Sequence, residues 1–246
     1  MRGEFDEAET LIQQALAMGQ RAGTRNAATV FGLQLGTLRR DQGRSPEVEP
    51  AIKAFVAQFP AYPLPRCALA LLYSEYGRME EARHEFEQIA AAGFSDLPRE
   101  AAGSMSMTLA VLGETCANLG DAASAASLYD LLLPFAQRMI TNSGWVCLGS
   151  ASFALGRLAA TMARWDEAAH HFEDALEMNA RMGARPWLAR TQHHYAEMLL
   201  ARGQPGDRER ALDLMSKSLE TASQLGMAKL VEWCEALRVS ASGGAL

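Results

Sequence analysis

No two of the four cysteines stand as C-x-x-C; Cys67, Cys116, Cys147 and Cys234 fall at irregular intervals. A disulfide framework is therefore not expected in a chain of 246 residues. Such cysteines are expected as small buried apolar residues in a reducing cytosol. Prolines number only nine and β-branched runs are almost missing, while alanine is plentiful, which favours helix throughout. Positive charge is in deficit: the net charge of −6 argues against holding a nucleic-acid backbone by bulk electrostatics. Long apolar runs are lacking as well, since stretches such as CALALLY (67–73) fall far short of a membrane span. Glu4, Asp6, Glu7 and Glu9 exclude an apolar signal core at the start. Together these features predict a cytoplasmic protein that contacts neither membrane nor nucleic acid directly.

Catalytic signatures are missing too. No G-x-x-x-x-G-K-[ST] run offers backbone amides and a lysine to phosphate, and no strand–helix alternation suggests a nucleotide-binding sheet. No G-x-S-x-G elbow presents a nucleophile. The chain ends VSASGGAL, a short polar tail rather than a helix-turn-helix. The reading is a non-enzyme with no cofactor, no catalytic residue and no metal ligand.

What is present is a repeat. At 49% hydrophobic and 21% charged residues, the chain has the means to bury a core. In CALALLYSEYGRMEEARHEFEQIA, Leu69, Ala70 and Tyr73 share one helix face, Gly77 breaks the helix, and Ala82, Phe86 and Ile89 form a second face. A frame of small residue, turn residue seven on, and small or apolar residue five further recurs. It reads Gly36–Gly43–Val48, Ala70–Gly77–Ala82, Gly113–Gly120–Ala125 and Gly156–Ala163–Ala168. It closes with Ala196–Gly203–Ala211, where Gln204–Gly206 are inserted. Four residues after each closing position stand Ile52, Phe86, Tyr129, Phe172 and Met215. A small residue lets two helices approach, and the large residue fills the gap between neighbouring hairpins. Closing positions 8, 48, 82, 125, 168 and 211 are spaced by 40, 34, 43, 43 and 43 residues, a regularity expected of stacked hairpins.

On these residues the chain resembles a tetratricopeptide repeat array over about 3–239. Residues 63–94 match best, with Leu69, Ala70, Tyr73, Gly77, Ala82 and Phe86. The aromatic seen at Tyr73 is replaced by Arg39, Cys116 and Ala159 in other units, and the helix-ending proline appears only as Pro60. The resemblance implies an all-α fold, a TPR-like α-solenoid of antiparallel helix hairpins in a right-handed superhelix. Its parts are a half repeat at 3–23, hairpins at 25–59, 63–92, 98–141, 145–183 and 185–226, a terminal helix at 227–239 and a tail at 240–246. Three units carry nine extra residues, about 13 Å of helix rise if all are helical. The longer period resembles the C-terminal arms of bacterial signalling ATPases that carry adenylate or guanylate cyclase or LuxR-type domains. That resemblance implies a protein–protein interaction or sensor arm whose partner is a protein, a peptide or a sister domain. The alternatives are a free-standing scaffold, or a cyclase or ATPase whose catalytic domains lie outside this chain. MRGEFDEAET matches only the second half of a unit, with Gly3 and Ala8 at turn and helix-B positions, so Met1 is expected to be an internal or artificial start.

Several residue groups carry potential chemistry. His170 and His171 precede Phe172, and His193 and His194 precede Tyr195, the pairs lying at similar heights on adjacent helices. Neighbouring helical residues point about 100° apart, and no Cys, Asp or Glu one turn on is expected to complete a metal set, so these are read as structural or surface histidines. Asp6/Glu7, Glu80/Glu81 and Asp166/Glu167 open second helices, where acids oppose the positive end of the helix dipole. The twelve methionines are expected to fill gaps between helices. The remaining candidate is the concave face, where Arg40, Ser74, Glu75, Glu114, Arg157, Arg190, His193 and Glu197 are expected. Their signs mix, and the two-Lys, two-Asn, one-Arg clamp of related arrays is not recognisable, so an acidic chaperone tail is not the expected ligand.

Overall fold

A computed structural model describes residues 2–24, 26–91, 93–94, 97, 102–142 and 144–243. The described chain is mostly helical. In order it runs α1 (Phe5–Arg21), α2 (Ala27–Gln42), a 3-10 turn (Ser45–Val48), α3 (Glu49–Gln58), α4 (Pro63–Glu75) and α5 (Met79–Ala90). It continues with α6 (Ala102–Leu119), α7 (Ala122–Leu132), a second 3-10 turn (Leu133–Phe135), β1 (Met139–Asn142) and β2 (Val146–Ser150). The last five helices are α8 (Ala151–Thr161), α9 (Trp165–Arg181), α10 (Arg185–Arg202), α11 (Asp207–Leu225) and α12 (Ala228–Gly243). No helix among the described residues is long and apolar enough to cross a membrane.

Packing follows chain order: α1 on α2, α3 on α4, α4 on α5, α6 on α7, α8 on α9, α10 on α11 and α11 on α12. From α4 onward each even-numbered helix also touches the next even-numbered one. The small and large residues of the repeat frame explain this. Ala82, Ala125, Ala168 and Ala211 are fully buried, and Phe86, Tyr129, Phe172 and Met215 are buried beside them. A Cβ at Gly156 would stand 3.1 Å from the Phe172 ring, so any larger residue would need the ring to give way where α8 meets α9. The first units obey the frame loosely. Ala8, Val48 and Ile52 are only half-buried, and α1 buries no residue fully.

The all-α expectation is corrected at one place. β1 and β2 form an antiparallel hairpin, with Thr141 opposite Cys147 and Asn142 opposite Val146. The extra residues of this unit therefore go into a turn and a hairpin instead of longer helices. Ile140, Thr141 and Val146 are β-branched and suit a pleated, half-buried surface, and Ile140, Val146 and Leu148 reach the core. Gly149 turns the chain into α8 at φ +71°, and a Cβ there would stand 2.7 Å from the Trp187 ring. In α9, α10 and α11 the extra residues do lengthen helices, to 17, 18 and 19 residues. The terminal helix also runs past the expected limit at 239, to Gly243.

Two local features carry testable energies. Ala163 fills the turn position that is glycine in the units at Gly77, Gly120 and Gly203, and it is the one non-glycine described at positive φ, 56°. A left-handed L-residue costs about 1–2 kcal/mol, part of which glycine gives back in unfolded-chain entropy. Ala163→Gly is expected to raise the unfolding free energy by about 0.5–1 kcal/mol in urea titrations; a loss of stability would show that the turn is not strained. Glu49 receives Lys53, Arg78 and the Tyr73 hydroxyl, and these hydrogen bonds pull its carboxyl down to about 2. A depressed acid contributes stability above its unfolded pKa and loses it as pH falls towards the folded value. Solvent screens the group, so Glu49→Gln is expected to cost about 1 kcal/mol at pH 7 and almost nothing near pH 2. Equal losses at both ends of that range would contradict the pairing.

Candidate functional site

Five even-numbered helices bring side chains to one polar centre. Along α10 the contributing residues are Arg190, His193, His194 and Glu197, spaced three to four apart and so on one face. α2 supplies Arg40 and Asp41, α4 supplies Ser74 and Glu75, α6 supplies Glu114 and Asn118, and α8 supplies Arg157. The eight residues expected on a concave face all lie in this region. Arg40 bridges Glu75 at 2.7 Å and Glu114 at 2.5 Å, with both carboxylates almost wholly buried. Arg190 lies 3.7 Å from Glu75, reaches Asp41 at 3.3 Å and donates to the Arg40 carbonyl at 3.2 Å. Trp187 lies under both guanidiniums, 5.5 Å from Arg40 and 5.7 Å from Arg190.

These contacts join residues up to 150 positions apart. The C-terminal end of α2 is thus packed into the inner wall, and the chain closes on itself there. Tyr76 donates to the Gly43 carbonyl at 2.7 Å, and the Lys229 ammonium sits 5.0 Å above the Tyr76 ring. Gly43, just after α2, thus meets the residue that caps α4, and a Cβ on it would stand 2.6 Å from the Lys229 backbone nitrogen in α12.

Beside this closed part lies a cleft of about 380 Å³. Ser74, Glu75, Asn118, Arg157, His193, His194, Glu197 and Trp233 line it, while Arg40, Glu114 and Arg190 stand behind its wall. Arg157 donates to Asn118 Oδ1 at 2.8 Å and to the Glu114 carbonyl at 3.5 Å, and Asn118 donates to Ser74 Oγ at 2.8 Å. Among the described residues no carboxylate is ion-paired to Arg157. His193 stacks on Trp233 at 6.0 Å, and its Nδ1 is 3.6 Å from Cys234 Sγ. Ser218 Oγ is 3.3 Å from the same sulfur and donates to the Ala189 carbonyl. Glu197 spans the pair: its oxygens lie 3.6 Å from His193 Nε2 and 2.5 Å from His194 Nδ1.

Burial and charge divide the titrations. Burial works against a charge on Glu75, yet Arg40 and Arg190 outweigh it and hold the carboxyl below its ordinary value. At Asp41 burial wins over the same two cations and raises the carboxyl. Burial also opposes a proton on His193, but the Cys234 contact and the Glu197 carboxylate prevail and raise it to about 9. Burial and the Arg157 charge push His194 down to about 3. Glu197 is held well below its usual range: burial opposes this, and His194 and His193 overcome it. Burial lowers the Arg157 guanidinium, with Glu114, Glu197 and Glu75 acting against that and Arg40 adding to it.

The two histidine pairs do not converge. His171 Nε2 is 2.9 Å from the Tyr129 hydroxyl, and exposed His170 faces Asp174 on its own helix. The expectation that no acid completes a set is corrected: Glu197 stands one turn after His193 and meets both rings of the second pair. The acidic pairs of α1, α5 and α9 sit in first turns, as the dipole argument predicts. Cys67, Cys116 and Cys234 are buried and Cys147 is partly so, all as free thiols. Sequence reasoning leaves out Asp41, Asn118, Trp233 and Cys234. Asn118 follows Glu114 by one turn, which is a readable signal, but α12 lies outside the repeat frame and offers none.

Fold and site together define a mostly helical protein whose successive helices pack on one another and enclose a charged centre beside an open cleft. No family model, curated protein or solved structure matches the chain.

Proposed function

We propose that this chain is a non-enzymatic docking or sensor arm, built of tetratricopeptide-like helix hairpins, that serves a bacterial cytoplasmic signalling protein. Its ligand is a peptide, a protein segment or a sister domain seated in the cleft between α4, α8, α10 and α12. The observation that carries this reading is Arg157. It is a cation at the wall of an open cleft whose hydrogen-bond partners are an amide and a carbonyl, with no carboxylate ion-paired to it among the described residues. An anionic group on a ligand gains a charge-assisted hydrogen bond there. Trp233 and Leu237 on the facing helix offer apolar anchors beside it. The likeness of the long repeats to the arms of cyclase- and LuxR-type signalling ATPases supports placing the arm beside such domains, with the catalytic and DNA-reading parts elsewhere.

The test is site-specific photo-crosslinking in the native cell. A photoreactive residue at Met79, on the cleft rim, is expected to capture one partner, and Arg157→Gln is expected to abolish that capture. The same probe at exposed Leu212, outside the cleft, is expected to capture nothing specific. Equal labelling from both positions, or indifference to Arg157→Gln, would remove the cleft as the docking site. Nucleotide binding by the isolated chain would contradict the non-enzymatic reading.

A further inference from the structure

We infer that His193, His194 and Glu197 form a binding site for a divalent transition cation of the zinc class, open to the cleft. The three side chains each offer one ligand atom, and these atoms all lie within 4.8 Å of one another. Two imidazoles and one carboxylate are the donor set that zinc takes when a fourth position is left to water or a ligand, with bonds of about 2.0–2.2 Å. Oxygen-only cations such as calcium or magnesium are not suited to imidazole.

The surroundings suit such a site. Both rings are held in place: His193 lies on Trp233, and His194 is packed against Phe153 at 5.6 Å and Trp233 at 5.9 Å. The Cys234 thiol beside His193 Nδ1, itself held by Ser218, orients that ring so that Nε2 faces Glu197. This outer partner is of the kind that metal-ligating histidines rely on. Glu197 is the adjustable member, with its side chain 45% exposed, so its carboxylate has room to open from His194 and admit the ion. Arg157 is a like charge on the same wall: it works against positive charge at His194, and an anion in the fourth position offsets that repulsion. The site stands on its own ligands and does not depend on what the cleft docks.

The test uses tag-free chain, stripped with chelator and titrated with Zn²⁺ by calorimetry and with Co²⁺ by absorption. One saturable cation per chain is expected, with the visible d–d bands of tetrahedral cobalt. Glu197→Gln and His193→Gln are each expected to weaken binding at least about tenfold. Cys234→Ser should keep the site, because the thiol orients the ring and does not bind the metal. If His193→Gln fails to fold by its helical signal, Glu197→Gln decides alone. Absence of saturable binding would overturn the proposal. So would affinity unchanged in Glu197→Gln, which would place the cation on exposed histidines such as His170. Loss of binding in Cys234→Ser would overturn the assigned ligand set.

Discussion

Arg40→Met is expected to lower the unfolding free energy by about 3–5 kcal/mol at pH 7, the range for removing one partner of a buried ion pair. Arg40 is the only cation ion-paired to Glu114 among the described residues, and Glu75 keeps just the longer contact to Arg190. The methionine fills much of the volume, so the loss measures two carboxylates stranded in a low dielectric, not a cavity. Adding Glu114→Gln to Arg40→Met is expected to restore a large part of the stability, because an uncharged amide no longer has to be neutralised. Urea titrations of the three proteins check this. A loss under about 1 kcal/mol for Arg40→Met would mean that water reaches the centre and that α2 does not seal it.

Phe172→Ala is expected to cost about 3–5 kcal/mol, the usual range for emptying a large core site. Phe172 is 1% exposed, stacks on Tyr195 at 5.3 Å with the planes 14° apart, and covers Gly156. Three successive helices meet on its ring, so their walls cannot collapse into the space it leaves. Ile52→Ala changes the equivalent position of an earlier unit. It is expected to cost only about 1 kcal/mol, since that side chain is half-buried and surrenders less apolar area. Equal losses at the two positions would show that the repeat frame does not grade from loose to tight along the chain.

That grading explains how much of the fold was legible. From Leu69 onward, small residues, turn glycines and large residues recur where helices must touch, so helix positions and their buried faces could be read directly. Between Met139 and Ser150 the same reasoning fails. The extra residues are counted there as helix rise only if all are helical, yet Ile140, Thr141 and Val146 are β-branched and Gly144 stands between the two strands. Two short strands are too brief for a periodicity to reveal them.

The repeat frame of the resembled family singled out Arg40, Glu75, Glu114, Arg157 and Arg190, and the structure brings these residues to one region. What spacing could not show was which charge meets which, since pairings across 149 positions depend on how α2 folds back over α10. Comparing the histidine pairs across the α9–α10 turn hid the closer partner, Glu197, one turn further along the same helix. Trp233 and Cys234 were out of reach because α12 has no place in the repeat.

The claim on which the site rests is that the first hairpin closes on the tenth helix and so builds one wall of a single polar centre. A double-mutant cycle between Asp41 and Arg190 tests it most directly, using urea unfolding of Asp41→Asn, Arg190→Gln and the double variant. The structure predicts a coupling energy above about 1 kcal/mol between these residues, as expected for groups in contact. Additivity within about 0.5 kcal/mol would contradict it, and would mean that α2 and α10 do not meet in solution.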